Sequence, residues 1–484
     1  YCLPVCVFLL PVGEYILNNL HQLKKKKVLI LSSSLFTNRL LPKSLFGYLG
    51  ANVELFFWGA SRPIFLKSCK YESFPLVFNN QEPINFLRRI NEVAWVKSKG
   101  LVSIKSMKGF NKSSNHHHKR DTAIHFLGGL IAFLRLHNIM DAFIRTIVAR
   151  QKRSPEARTR LLQLKPDVVV VTNPFWMHES SVAIEAKSLG IKLISIVPSW
   201  DNITTKSRLT FDSDAYFVWS DVRVKELQRI YPKTLGKRIY TYATPQYEVF
   251  FNTEFHQSRQ EFCKAQGLDP DRKIILYATG SPNFIKTEYD AAAVFQKYFT
   301  NDPALNQNQL LFRPHPNKDN NELQHLHKPE KHCFVQFTPQ AGLKTEERNL
   351  NKESTFLWVN TFRHADVVVN LSSTVTLDAI LCGKPVINLN FDMSGDTDYD
   401  GFIKEINSTW THLRDIWECK GIPQVNSVLE LKEAILTALS SPEEGREERD
   451  ELFKKICGEP NESIGKRFAA QILDCAKNLG GPWK

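Results

Sequence analysis

Short apolar runs, each closed by a polar or glycine-bearing turn, recur along the 484-residue chain. VLILSS (28–33) and VELFFW (53–58) predict parallel strands around a helical segment, the start of an alternating β/α pattern. The alternation resumes with DVVVVT (167–172), a helix over 180–189, KLISIV (192–197) and AYFVWS (215–220), which reads as the final strand of the first half. ATPQYEVF (243–250) loses the period and carries a proline, placing a boundary near Thr244. In the second half KIILYATG (273–280), QLLFRPHP (309–316), CFVQF (333–337), VVV (367–369) and VINL (386–389) predict strands, with helices over 375–381, 428–439 and, closing the chain, 463–477. The stretch 317–332 fits no single element, and 339–355 reads as a surface loop. The expected fold is α/β: two Rossmann-like doubly wound domains, 1–244 and 245–484, facing each other across a cleft.

The region 97–160 departs from this texture, because its only acids are Asp121, Asp141 and Glu156 among many Lys and Arg. Within it, 123–150 interleaves apolar residues (Phe126, Leu130, Phe133, Ile139, Phe143) with Arg135, Arg145 and Arg150 at helical spacing. Such a helix either packs a core and solvates its basic face, the ordinary case, or lies in an anionic membrane interface. The formal charge of +13 points the same way, toward acidic lipid headgroups or phosphorylated substrates. Nucleic acid is not expected, since no zinc-finger or RNA-binding sheet motif is present. The nine cysteines are scattered without a CxxC pair, as suits reduced thiols in the cytoplasm. Tyr1 to Leu17 is apolar apart from Glu14, but Pro4, Pro11 and its length argue against a full span; it reads as a leader or anchor remnant, or a docking arm.

The stretch with most chemical content is VVVNLSSTVTLDAILCGKPVINLNFD (367–392). A buried strand, the hydroxyl turn Ser372, Ser373, Thr374 and a helix ended by Gly383 put backbone N–H groups and side-chain hydroxyls at a helix N-terminus, where an anion such as a pyrophosphate is favoured. Asp378, one turn in, is placed to accept from a ribose or sugar hydroxyl. The bland alternative is an ordinary N-cap with a solvated first-turn acid. His315, held between Pro314 and Pro316 at a strand end beside Arg313, can donate to a phosphate oxygen as a leaving group gains charge, with Arg313 neutralising it. His116, His117 and His118 sit in a loop-like stretch, and DTDYDG (396–401) is half an EF-hand loop lacking its terminal Glu; neither makes a metal site.

YATG, then RPHP, then S-S-T-x-T-x-D-A-x-x-x-G-K-P-V-I resembles the second domain of the CDP-glycerol glycerophosphotransferase and capsular-polysaccharide transferase group. It is more distantly similar to UDP-N-acetylglucosamine 2-epimerases, which carry a His-Pro loop and a Ser-rich turn before an acidic helix. The resemblance implies a GT-B fold, with His315, Ser372, Ser373 and Thr374 on the donor pyrophosphate, Gly280 and Ser281 near the same phosphates, Asp378 by the ribose, and neither metal nor cofactor beyond the nucleotide-activated donor. In the glycerophosphotransferases a Trp-His-Gly loop ending in Lys presents the proton-accepting His. Here the loop reads Trp200, Asp201, Asn202 through Lys206, so an Asp stands in that place. Asp201 can serve as general base for an acceptor hydroxyl provided desolvation raises its pKa, or it is simply an Asx-turn residue. His178 with Glu179, at another strand end, is the reserve base or an ordinary helix-terminal pair.

The expectation is a transferase that moves a sugar or glycerol-phosphate-like unit from a nucleotide donor to a glycan or lipid-linked acceptor, peripheral on the cytoplasmic face of an anionic membrane. Two alternatives stand beside it: an epimerase or hydrolase of the same fold, and a non-catalytic nucleotide- or glycan-binding protein.

Overall fold

The computed structural model describes residues 25–33, 41–59, 70–73, 82–101, 118–151, 154–175, 179–206, 208–281, 287–316, 320–338 and 351–479. The first sheet holds β1 (Lys27–Ser32), β2 (Glu54–Gly59), β3 (Lys70–Ser73), β4 (Val168–Val171), β5 (Lys192–Ile196), β6 (Ala215–Val218) and β7 (Arg238–Thr241). They lie in the order β3-β2-β1-β4-β5-β6-β7, all parallel. The second sheet holds β8 (Ile274–Ala278), β9 (Gln309–Arg313), β10 (Cys333–Val335), β11 (Val367–Asn370), β12 (Val386–Leu389) and β13 (Gln424–Val425) in the order β10-β9-β8-β11-β12-β13, again all parallel. Both are doubly wound sheets whose strand order reverses beside the first strand, between β1 and β4 and between β8 and β11. In such sheets ligands bind at this crevice, outside the carboxyl ends of the strands. The four valines of β4 and the first three of β11 are wholly buried because helices cover both faces, which is why these strands read as unbroken apolar runs.

Several elements left little trace in the pattern. β3 (KYES) and β7 (RIYT) are half-exposed edge strands without an apolar run, so AYFVWS is not the last strand of its sheet. Part of the expected 339–355 loop is helical: Lys352–His364 is capped by Asn351, whose Oδ1 accepts from the Ser354 N–H at 2.7 Å. Asp396 caps the helix Thr397–Thr409, accepting from the N–H groups of Asp398 (2.9 Å) and Tyr399 (3.1 Å), so the EF-hand-like acids are a helix start. Residues 1–24 and His116 and His117 lie outside the described residues.

The helix expected over 123–150 is two, His118–Phe133 and His137–Gln151, with axes turned by 118° at Leu134–Leu136, where Arg135 adopts φ 55°. The first leans on the helix Glu82–Lys99 so closely that a Cβ on Gly128 would fall 2.6 Å from Val93. Arg145 does not face outward as the basic stripe suggested. It turns in to Asp141 (2.9 Å), Asp212 (3.2 Å) and the Leu209 carbonyl (3.0 Å).

The chain returns to the first sheet at its end. The helix Ile464–Leu479 sets Phe468 against Phe217 and Tyr242, with ring centroids at 5.4 and 4.7 Å. Glu248 accepts from both the Ser44 hydroxyl and the Gly465 N–H (3.1 Å). Gly465 must lack a side chain, since a Cβ would meet Ser44 Oγ and Glu248 Oε2 at non-bonded distances no real side chain tolerates. One cluster of buried side chains runs from Val28 and Ile194 through Tyr242, Tyr247 and Phe468 to Leu276 and Val368, joining the two halves through a shared core.

Candidate functional site

Between the carboxyl ends of the two sheets lies a cavity of about 360 Å³. The second half contributes the turn after β8 (Thr279, Gly280, Ser281), His315 after β9, and Leu371 to Val375 between β11 and the helix Thr374–Leu381. The first half contributes Trp200, Asp201, Thr205 and Lys206, from the loop after β5. Trp410 and His412 close the wall, from the segment between the helices Thr397–Thr409 and Arg414–Trp417.

Ser373 is the N-cap of its helix, accepting from the Val375 N–H at 3.3 Å while donating to Asn370 Oδ1 at 3.1 Å. Its hydroxyl is thus engaged, whereas Ser372 Oγ is buried with no hydrogen-bond partner. A buried hydroxyl left unpaired costs about 1–3 kcal/mol, a cost that a ligand oxygen arriving in the cavity would offset. Thr374 stands exposed at the helix N-terminus, where the dipole favours an anion. His315 is fixed by its N–H, which donates to Thr279 Oγ1 at 2.8 Å.

Other expected residues sit elsewhere. Gly280 lines the cavity, but its N–H already donates to both carboxyl oxygens of Glu288 (2.7 and 2.8 Å), so it is not an open phosphate donor. Arg313 lies over the Phe362 ring at 5.0 Å and is not in the lining. Asp378 is also outside the lining. It is buried one turn into the helix, where Oδ2 accepts from the Trp358 indole N–H at 3.0 Å, so a place beside a bound ribose is not what its surroundings offer. Asn202 is buried beneath Asp201, to which its side-chain amide donates at 3.1 Å. His178 lies outside the described residues. Its neighbour Glu179 is fully buried and accepts from Ser33 (N–H 2.9 Å, O–H 2.8 Å), Thr172 (N–H 2.8 Å, O–H 3.0 Å) and the Asn173 N–H (3.1 Å). It is a clamp tying the ends of β1 and β4 together.

The half-buried Asp201 accepts from Thr205 Oγ1 at 2.7 Å as well as from Asn202. Burial works to raise its carboxyl, but the Lys206 cation, His412 and hydrogen bonds from Ser199 and Thr205 outweigh it and hold the carboxyl below the ordinary range. The desolvated, strengthened base expected of Asp201 is therefore not what the site contains. His412, which the pattern did not single out, packs between Trp200 (centroids 5.4 Å) and Trp410 (5.6 Å). Burial, reinforced by Arg223 and Lys206 and opposed by Asp201, pushes its imidazole down to about 4, so it is neutral at ordinary pH. Its Nδ1 is buried without a partner, as is the indole N–H of Trp200. The only trace of this wall in the sequence is the aromatic-histidine cluster TWTH (409–412), which lies past the motifs and carries no spacing of its own.

No family model matches the sequence, and no curated protein does. Among solved structures, the chain is similar to S. aureus MnaA solved with UDP (10% identity over 94% of this chain and 97% of that chain, TM-score 0.51). It is also similar to the UDP-GlcNAc 2-epimerase of Methanocaldococcus jannaschii (13% identity over 93% and 99%, TM-score 0.51). The wall teichoic acid polymerase TagF aligns over 96% of both chains at 12% identity with a TM-score of 0.49. At such identities the likeness to the first two is one of architecture, and it agrees with the two facing parallel sheets: the chain has the GT-B fold.

Proposed function

We propose that this chain is a GT-B transferase that moves a sugar, or a glycerol-phosphate-like unit, from a nucleotide donor to a hydroxyl of a surface-polysaccharide or lipid-linked acceptor, without a metal ion. The observation that carries this reading is the joint lining of one cavity. Its second-half wall combines a helix N-terminus, the unpaired Ser372 hydroxyl and His315, and its first-half wall carries Trp200, Asp201 and Lys206. In the proposal the donor diphosphate lies against Ser372, Ser373 and Thr374, with His315 donating to the leaving oxygen, and the acceptor lies against the opposite wall. That MnaA, of the same fold, was solved with UDP is consistent with a nucleotide at this crevice.

The fold alone would equally suit an epimerase, the activity named for the M. jannaschii structure. That reading needs several carboxyl groups about the sugar, and Asp201 is the single carboxylate in the described lining. Transfer is therefore favoured. The proposed working place is the cytoplasmic face of an anionic membrane, met through the bent helix pair His118–Phe133 and His137–Gln151. Phe133 is 83% exposed, Phe126 71% and Ile139 68%, with Leu130, Leu134, Leu136 and Phe143 exposed beside them. Arg135 and Arg150 on this pair and Lys97 nearby are exposed cations, with Lys99 half-buried beside them, that match acidic headgroups. Among the described residues no single helix is long and apolar enough to cross a membrane.

Thermal-shift titration with UDP, CDP, CMP and GDP species, on the wild type and on His315→Ala, tests the donor side; donor cleavage with and without a membrane lipid extract tests transfer. One nucleotide should raise Tm in the wild type and less so in the variant, with cleavage dependent on the extract. Cleavage without extract would favour the epimerase or hydrolase, and binding without any cleavage the binding protein.

A further inference from the structure

In the transferase reading the weakest point is the base. Both carboxyl oxygens of Asp201 are already engaged, Oδ1 by the Asn202 side-chain amide at 3.1 Å and Oδ2 by the Thr205 hydroxyl at 2.7 Å. The cavity contains a second candidate that comes from the other half of the chain. His412 is buried, lines the same cavity, and packs at a tilt of 56° against Trp200, the residue that precedes Asp201. Its Nδ1 is enclosed without a partner, which leaves Nε2 as the nitrogen available to an incoming acceptor.

Resting on the transferase reading above, we infer that His412 is the group that takes the proton from the acceptor hydroxyl, with Asp201 as the carboxylate that stabilises the imidazolium formed. The acceptor O–H bond breaks toward Nε2, its electron pair becomes the nucleophile, the bond from the transferred unit to the donor phosphate oxygen breaks, and the pair leaving with that oxygen is met by His315 and the helix N-terminus. The imidazolium then returns its proton to solvent or to the released phosphate. An imidazole whose charged form is stabilised by an ionised carboxylate is a general arrangement; here Asp201 acts on the ring through its charge. What is particular here is that the two belong to opposite walls, so the base is complete only when the halves are docked. Burial keeps the ring unprotonated, with Arg223 and Lys206 adding to it, and Asp201 opposes them.

The test uses the full chain with UDP-N-acetylglucosamine and CDP-glycerol as donors and a membrane lipid extract as acceptor. His412→Ala should lower turnover at saturating donor by about 10²- to 10⁴-fold, leave the donor-induced Tm shift within about twofold, and recover at least about tenfold on addition of free imidazole, which a packing defect would not. Turnover within about threefold of wild type, or a loss confined to KM, would overturn the inference. If His412→Ala does not fold, His412→Gln, which keeps a polar side chain but no basic nitrogen, decides: a loss of turnover of the same size supports His412, whereas turnover within about threefold of wild type refutes the assignment. A wild type that neither binds nor cleaves either donor removes the transferase reading, and this inference with it, a result separable from donor binding that survives in a variant without turnover.

Discussion

Two side chains show how single residues divide the work at the donor wall. Ser372 Oγ is buried and unpaired, so removing it deletes no protein contact. Ser372→Ala removes that unpaired hydroxyl and should leave stability unchanged or raise it by up to about 1–3 kcal/mol by chemical denaturation, yet weaken donor binding by about 1.5–3 kcal/mol, the worth of a hydrogen bond to a charged oxygen. A stability loss with unchanged binding would make the hydroxyl structural. Glu288 behaves in the opposite sense. Burial, opposed by the Gly280 N–H and reinforced by Asp392, pushes its carboxyl up to about 8. Between the ordinary carboxyl value of 4.5 and about 8 the native state keeps a proton that the unfolded chain has released. Its contribution is therefore complete below the lower value and declines as pH rises toward the upper one. Wild-type Tm should fall between pH 6 and 8.5 more steeply than that of Glu288→Gln; parallel curves would contradict the raised carboxyl. The Ser-Ser-Thr turn was legible because hydroxyls before an apolar helix are a local signal. Glu288 was not, since its role depends on what covers it.

At the scale of elements, the bent helix pair has the clearest consequence. An apolar stripe can be read along 123–150, but whether it faces a core or solvent depends on what packs against it. Here the helix Glu82–Lys99 covers only one side, through Ile90 and Val93 against Ile124, and the turn at Arg135 swings the remaining apolar side chains outward. Leaving a Phe or Ile in water forgoes about 1.5–3 kcal/mol relative to burying it, so a face carrying several of them fits a low-dielectric partner. The combined variant Phe126→Ser, Phe133→Ser, Ile139→Ser should lose co-sedimentation with vesicles of anionic phospholipid while keeping its Tm, because these side chains support no described core. Unchanged sedimentation, or binding equally strong to zwitterionic vesicles, would count against a basic membrane face. Helix Lys352–His364 teaches a related lesson: its start is set by the Asn351 cap, a single residue in a polar run that reads as loop.

The whole molecule is held in its facing arrangement by contacts between residues far apart in the chain. Arg223, on the helix Asp221–Ile230, donates to Glu226 (2.7 Å) and reaches Asp415 of the second half (3.3 Å), which also pairs with Lys455 (2.8 Å). Arg223→Met would leave Glu226 without its buried cation and should cost about 3–5 kcal/mol in calorimetric stability. Because Asp415 follows closely on His412, turnover should fall with it; loss of stability alone would separate the bridge from the site. The sequence by itself determined the β/α alternation, the two sheets built from it, the hydroxyl turn and the His-Pro loop, because these are written in local periodicity and turn chemistry that act over a few residues. Only the tertiary structure decided that Asp378 and Glu179 are buried and bonded, that Asp201 is a weakened base, that Arg145 turns inward, and that His412 stands opposite Asp201. Burial, pKa and pairing across a cleft depend on the dielectric and the charges brought together by folding, and residues some two hundred positions apart carry no local pattern that could announce their meeting.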